Sequence, residues 1–498
     1  MEGASEEWSV SSNEACTLSL IQPPGGPPAH KFHPEFTYPI FGEAEQIFGY
    51  KDLQIDLKFA AHDMRPSLQI SYGKKFKTVG DTKATDLNES LREFLPPIAF
   101  EQGLEQALQN DPDLPSWKPP GERISEYSRN GETYEIWAAS LSDPRMKTLV
   151  GNIQVLITMF IEGGTHLDLD DVEWTLNRWK VYVAYKRAAP EVNPKASPYS
   201  FVGYSTTYRF YRLQLRSPEQ KSVANKSDFL EPFPPTKPLT AQEVPSRLRI
   251  SQFLILPEYQ RAGHGAALYY AIYDEALADS TITELTVEDP SEEFDKLRDV
   301  CDFRRLRPEF EKHDIKLDTE PFIQAARGSI HTVPTAKLLP RDTLKDIRHQ
   351  YKIAPRQFAR LTELYLLANI AYSHRSSGGG SKTALKIKGP RAANPDDRAY
   401  YWWRVLLKQR IYKKNKDVLL QLDEDERRSK MDDTANGQED EFEGLLLLYS
   451  TGLQKEEARN GNGAGPSGSS GARKRRVIDD EEDEHGESDG AHSKRVKA

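Results

Sequence analysis

The sequence predicts an α+β protein with an N-terminal mixed domain, a central mixed sheet flanked by helices, a small helical C-terminal domain and a disordered tail. Three observations predict it. β-Branched and aromatic residues alternate with polar ones through the middle of the chain, and apolar residues recur at three- and four-residue spacing after residue 340. The end of the chain turns acidic, then Gly/Ser-rich, then basic, a composition that buries too little apolar surface to offset chain entropy. The 498 residues suit two or three domains at roughly 150 residues each. The expected boundaries are 1–140, 141–335, 336–430 and a tail over 431–498.

Residues 1–140 are the least legible: strand signals at 53–57 and 68–72, a helix from Leu87, and many prolines. Strands are expected at 152–161, 180–186, 200–215, 249–256 and 281–287. Between two of them, 216–245 carries EPFPPTKP and reads as a surface excursion. Helices are expected within 340–375, where Leu361, Leu364, Tyr365 and Ala368 share a face, and over 396–422, where Trp402, Trp403, Leu406, Leu407 and Ile411 form a stripe. SSGGGSK between them reads as a flexible loop. In the tail, Arg473 to Arg476 and Lys494, Arg495 and Lys497 form two basic clusters, read as a bipartite nuclear import signal or as a merely solvating tail.

Composition excludes several classes. The 67 Lys plus Arg against 76 Asp plus Glu leave a net charge of −9, which argues against nucleic acid as the main ligand and fits a basic partner. The longest nearly apolar run, 155–161, is far short of the ~20 residues a membrane span needs. Two cysteines, Cys16 and Cys301, make neither a disulfide framework nor a thiolate metal site, so no metal is expected. The first residues, MEGASEE, lack the basic and apolar regions of a secretory signal, so a reducing compartment is expected.

Chemistry concentrates between residues 250 and 298. A strand (ISQFLIL) runs into a turn (PEYQRAGHG), a helix (AALYYAIYDEALA), a second strand (ITELTV) and EDPSEEF. Gly263 and Gly265 leave the N–H groups of Arg261 to Ala266 accessible at a helix N-terminus, where the donors and the helix dipole suit a pyrophosphate. No Gly-Lys-Ser/Thr follows, which removes a P-loop, and the loop is not the G-x-G-x-x-G dinucleotide fingerprint. A mere tight turn is the bland alternative, and the flanking strand and helix in the right order count against it.

What remains is Gln-x-x-Gly-x-Gly/Ala, read as Gln260, Arg261, Ala262, Gly263, His264, Gly265 and Ala266. It resembles the coenzyme A loop of the Gcn5-related N-acetyltransferase (GNAT) superfamily. The strings FLILPEYQRAGHGAAL and LTVEDPSEEFDKLRD, with FGYKDLQIDL and VGYSTTYRFY upstream, resemble the type B histone acetyltransferase catalytic subunits over roughly residues 30–430 in pieces. The resemblance implies a GNAT-type central sheet and acetyl-CoA as co-substrate. Phe253, Leu254 and Ile255 would line acetyl-CoA, the 260–266 loop would cradle its pyrophosphate, and Ser291 would touch it too. Neighbouring strands would splay to pair with the pantetheine arm. It also implies Glu288 as general base, with Asp289 as second choice or electrostatic helper. The bland alternative for Glu288 alone is a solvated carboxylate at a strand end.

The same resemblance implies that Glu43, Ala44, Glu45, Tyr208, Arg209 and Phe210 hold the N-terminal tail of histone H4, with the A-type histone H2 a further substrate. Tyr208 and Phe210 also fit core strand positions, since alternate residues share a face. A WD-repeat histone-binding subunit and a place in both cytoplasm and nucleus follow from the family as well, and neither nucleic acid nor membrane is a partner. The acidic run Asp168, Asp170, Asp171 and Glu173 stays outside the catalytic set. Cys301 is not expected to be an activated nucleophile, and His264 is expected to face solvent or cap the helix. An acetyltransferase of the same fold for another amine, and a noncatalytic histone-binding scaffold, are the competing readings.

Overall fold

The computed structural model describes residues 7–23, 30–189, 194–212, 214–215, 230–231, 244–319, 337–376 and 393–461. The SSGGGSK loop beyond Ser376, most of EPFPPTKP and the two basic clusters lie outside them. The unit that ends at Tyr449 holds the sheets, the site and every side-chain contact described below; Ser450–Ala498 forms a second unit, which takes the last residues of the final helix.

Four strands build the N-terminal layer: β1 (Cys16–Ile21), β2 (Lys31–Phe32), β3 (Gln54–Ala60) and β4 (Pro66–Ser71), in the order β2-β1-β3-β4. In β3 the alternation is regular, with Ile55, Leu57 and Phe59 buried and Asp56 and Lys58 half-exposed, so one face is committed to the interior.

The central sheet has six strands: β5 (Glu122–Arg129), β6 (Glu132–Ser140), β7 (Trp179–Arg187), β8 (Tyr199–Tyr211), β9 (Ser246–Ile255) and β10 (Ile282–Val287), ordered β10-β9-β8-β7-β6-β5. All neighbours are antiparallel except β9 and β10. That parallel pair needs a crossover, which α2 (His264–Ala278) supplies. The sheet separates two apolar cores. In β7, Val181, Val183 and Tyr185 face the N-terminal layer while Tyr182 and Ala184 face α2 and α3 (Glu292–Lys312), which is why that strand is apolar throughout rather than alternating. Lys352 Nζ donates to the carbonyls of Ala276, Leu277 and Asp279, closing the C-terminus of α2.

Two expectations need correction. Residues 152–161, read as a strand, belong to α1 (Pro144–Phe160). The helix starts well upstream, where Asp143 accepts from the N–H groups of Arg145 (2.8 Å) and Met146 (3.0 Å) and Pro144 takes the first position. Because α1 is wedged between the N-terminal layer and the sheet, it is apolar on most sides, and its β-branched residues mimic a buried strand.

The second correction is at the start of the tail. After α4 (Arg341–Gln350), α5 (Pro355–Ala368) and α6 (Pro395–Lys414), the chain re-enters a helix, α7 (Glu424–Gly461), where composition predicts a tail from 431. Ala435, Phe442 and Leu445 are buried there, and the Glu439 carboxylate, also buried, accepts from Arg404 (2.6 Å) and Tyr400 (2.8 Å) on α6. The acidic composition hid a counterion: a buried carboxylate needs its cation from another element.

One feature of the sheet positions the site. β9 and β10 pair only from Ser246↔Ile282 to Ile250↔Val287, and the Glu288 N–H donates to the Ile250 carbonyl (2.9 Å). Beyond that point Gln252 to Ile255 pair with β8 alone, and Ser251 is the extra residue of a bulge in that pairing. The two strands part, as the resemblance implied, leaving one backbone edge of β9 without a strand partner.

Candidate active site

The cleft between the parting strands has a loop end and a carboxylate end. At the loop end, β9 delivers Phe253, Leu254 and Ile255. Leu254 and Ile255 are buried, on the N-terminal and α2 sides of the sheet respectively; only Phe253 is half-exposed, its ring 4.8 Å from Phe294. A ligand in the cleft therefore meets this strand by its backbone and by Phe253.

The turn from Gln260 to Ala266 opens α2. Gln260 folds back, its Nε2 donating to the Ile255 carbonyl (3.0 Å). Arg261 (φ 58°) and Gly263 (φ 89°) are both left-handed, which turns the chain sharply into the helix. Among the described residues no acceptor takes a hydrogen bond from the N–H groups of Arg261 to Ala266, so the loop presents a ring of free donors at the positive end of a helix dipole. Ala262 is half-buried, and Arg261 is exposed beside these donors.

The two loop glycines have different jobs. Gly263 supplies the positive φ. A Cβ on Gly265 would stand 2.7 Å from Leu297 Cδ1, so that glycine lets α2 and α3 approach, whereas the sequence suggested ligand access as its reason. His264 is corrected more fully. It is buried (2% exposed), its ring 4.4 Å from that of Tyr134 and its Nδ1 3.0 Å from the Tyr127 hydroxyl. Burial, with the nearby Arg129 charge added, pushes it down to about 4, so it is neutral at physiological pH. It neither faces solvent nor brings charge to the loop.

At the carboxylate end, Glu288 follows the last paired residue of β10 and is half-exposed. Both its oxygens are engaged: Oε2 accepts from Ser251 Oγ (2.5 Å) and Oε1 lies 2.9 Å from an Arg249 amino nitrogen. The next residue, Asp289, is exposed and left-handed (φ 31°), a conformation that costs about 1–3 kcal/mol in a non-glycine residue and concentrates at functional turns. Arg249 also stacks on Phe210, 4.5 Å from the ring centroid. Phe210 packs edge-on to Tyr208 (4.8 Å), and Tyr208 lies 4.6 Å from Trp179 with Arg178 4.4 Å over its ring.

The tertiary structure thus brings Tyr208 and Phe210 to Glu288 through Arg249. Both rings are half-buried and outside the two main cores, so they are surface-facing strand residues. Arg209, between them, points to the other face, where it donates to Thr281 Oγ1 (2.8 Å) and pairs with Asp279 (2.5 Å). Burial pushes the Asp279 carboxyl up, but hydrogen bonds from Thr281 and Arg209 outweigh it and hold it at about 2. Arg209 is therefore a structural clamp on the turn before β10.

Glu43, Ala44 and Glu45 lie in the N-terminal layer. Glu43 and Ala44 are exposed, while Glu45 is occupied: its carboxylate accepts from the N–H groups of Thr37 (2.6 Å) and Tyr38 (3.2 Å) and from Asn13 (2.9 Å). Ser291 caps α3, its Oγ accepting from the Phe294 N–H (3.2 Å). In the acidic run, Asp168 and Asp171 accept from the N–H groups of Asp170 (2.9 Å) and Val172 (2.6 Å). Cys301 is buried in the α2 core, and burial pushes its thiol up to about 12, which removes it as a nucleophile at neutral pH. Sequence reasoning missed Arg249 and Ser251. Their only signal was their alternation on β9, which aims both at one face.

Comparison with known proteins agrees with this geometry. The family described as "Histone acetyl transferase HAT1 N-terminus" matches residues 8–162, and "Fungal HAT1, C-terminal" matches 323–371. A histone acetyltransferase type B catalytic subunit of Aspergillus oryzae is 46% identical over 457 residues, covering 91% of this chain and 88% of the relative. The proteins of that name from Aspergillus fumigatus (43% identical; 98% and 88% covered) and Neurospora crassa (36%; 99% and 98%) are similar over nearly all of their length. These relatives make the protein an acetyltransferase, and its architecture is mixed α+β. The chain belongs to the family of histone acetyltransferase type B catalytic subunits.

Proposed function

We propose that this protein transfers the acetyl group of acetyl-CoA directly to lysine ε-amines in the N-terminal tail of free, newly made histone H4, with Glu288 as general base. The observation that carries the reading is the juxtaposition of an anchored, half-exposed carboxylate, an unpaired strand edge and two surface aromatics at one end of a cleft whose other end offers free backbone donors. Bound acetyl-CoA supplies the thioester whose acetyl carbon the neutral amine attacks, with the coenzyme leaving as its thiol.

The protein's part begins with the proton. A lysine of pKa about 10.4 is nearly all ammonium at pH 7, and freeing the amine costs about 4.6 kcal/mol. Glu288 takes that proton directly or through one water. Arg249 and Ser251 fix the direction of its carboxylate, and the Tyr208 and Phe210 rings flank the lysine stem. The free edge of β9 and the 260–266 donors fit the amide-rich arm and the phosphates of coenzyme A. Glu43 adds negative charge for a basic tail. The A-type histone H2 is a further substrate, a WD-repeat histone-binding subunit is the partner, and both cytoplasm and nucleus are sites of action. These rest on the family resemblance and on the two basic clusters of the tail.

The test is transfer of label from acetyl-CoA to an H4 N-terminal peptide and to an unrelated lysine peptide. Preferential labelling of the H4 peptide is expected. No label on it overturns the reading, and equal labelling of both supports an acetyltransferase for other amines.

A further inference from the structure

The turn joining β5 to β6 is Asn130-Gly131, with φ 52° and 81°, between paired Arg129 and Glu132. Two left-handed central residues make the tight hairpin turn whose twist matches the strands, so the hairpin tip is rigidly placed. It stands against the N-terminus of α2: a Cβ on Gly263 would lie 3.2 Å from Arg129 Nε and 3.7 Å from one of its amino nitrogens. The other amino nitrogen donates to the Ser128 carbonyl (3.0 Å), and the guanidinium lies 5.5 Å from the Tyr127 ring centroid.

Among the described residues no carboxylate pairs with Arg129. The acids nearby are already matched: Glu132 with Lys186 (2.8 Å), Asp274 with Arg305 (2.7 Å) and Glu275 with Lys180. Arg129 also borders a cleft of about 500 Å³ that runs between β5 and α2, past Ile124, Tyr127, Ala267 and Tyr270. The imidazole at the first position of α2 is neutral, so the fixed charges beside the donor loop are Arg261, exposed within it, and Arg129 from this hairpin, whose guanidinium is half-buried against Gly263.

Resting on the acetyl-CoA reading above, we propose that Arg129 is a phosphate-binding residue for coenzyme A, completing with the 260–266 N–H groups a site assembled from two elements far apart in sequence. The cleft beyond it takes the nucleoside end of the coenzyme. A half-buried guanidinium with an open fork is the geometry that grips a phosphate bidentately. Two phosphate groups of the ligand qualify, the diphosphate and the 3′-phosphate.

Isothermal titration of coenzyme A and of 3′-dephospho-coenzyme A into the full-length protein and its Arg129→Gln and Arg129→Lys variants tests this. Arg129→Gln is expected to weaken coenzyme A about tenfold or more, with less salt dependence than the wild type, and Arg129→Lys to keep part of the affinity. Thermal melts of both variants should match the wild type. If wild type binds the dephospho compound as weakly as Arg129→Gln binds coenzyme A, and the variant does not change it further, the contact is to the 3′-phosphate. Equal weakening of both ligands assigns the diphosphate. Wild-type affinity of Arg129→Gln for both overturns the proposal while leaving the acetyltransferase reading intact. Failure of the wild type to bind coenzyme A overturns both.

Discussion

The loop end of the cleft and its carboxylate end are built from different materials. The loop end is backbone: left-handed residues at 261 and 263 and a run of N–H donors, all within one short segment. The carboxylate end is side chains from three strands, with Phe210 on β8, Arg249 and Ser251 on β9 and Glu288 just after β10. A ligand met by backbone is recognised wherever the turn forms. A reacting group held by side chains depends on register, and a one-residue slip of β10 would turn Glu288 away from both its anchors.

The largest expected effect is at the carboxylate end. Glu288→Gln should lower kcat for peptide acetylation by about 10²–10⁴-fold, the usual share of a general base, while acetyl-CoA affinity stays near wild type. An unchanged kcat would move the base elsewhere, with Asp289 the first place to look.

At the loop end the matching probe is His264. Between pH 6.5 and about 4 the unfolded chain binds a proton there that the buried ring refuses. Stability should therefore fall as pH drops through that window, by on the order of 2 kcal/mol, and be flat above it. His264→Gln should flatten that part of the profile in urea titrations. An identical slope in wild type and variant would mean that this ring is accessible.

A crossed pair of variants separates the ends directly. Gly263→Ala, which forces a Cβ into the left-handed region against Arg129, should raise the KM for acetyl-CoA and cost about 1 kcal/mol of stability, leaving the peptide KM unchanged. Phe210→Ala should do the opposite, raising the peptide KM about fivefold with acetyl-CoA unaffected, as loss of about 1 kcal/mol of apolar packing against the substrate lysine stem would give. Both variants shifting both constants would show the two ends to be coupled. The smallest effect is expected at Cys301. Cys301→Ala should leave turnover unchanged, and mass spectrometry without acceptor should find no acetylated protein; loss of activity with a trapped acetyl-cysteine in wild type would restore a covalent route.

Legibility in the sequence follows the same division. Strands at 180–186, 249–256 and 281–287 are readable because consecutive β-branched and aromatic residues can be buried on both faces of a sheet. The donor loop is readable because glycines, turn and helix start are contiguous. α1 reads wrongly because a helix enclosed by two layers loses its amphipathic stripe, and its Asp143-Pro144 start lies outside the β-rich window. The Asn130-Gly131 hairpin carries an available signal, a two-residue left-handed turn flanked by alternating residues, in the stretch that looks least ordered. Arg209 and Glu45 read as ligand contacts through the family resemblance; their partners, Asp279 and the N–H groups of Thr37 and Tyr38, are distant or depend on a local turn.

By itself, then, the sequence determined what is local: the α+β class, most strands of the central sheet, the donor loop at the head of α2 and the family. Tertiary structure alone decided which carboxylate is held and by what, that Arg209 clamps a turn while Phe210 stacks on Arg249, that His264 is buried and neutral, and that Glu439 is a counterion in a packed helix rather than part of a tail. The physical reason is range. Propensity and turn geometry act over a few residues and are written into them, whereas the charge state and direction of a side chain are set by groups that only strand pairing and burial bring near.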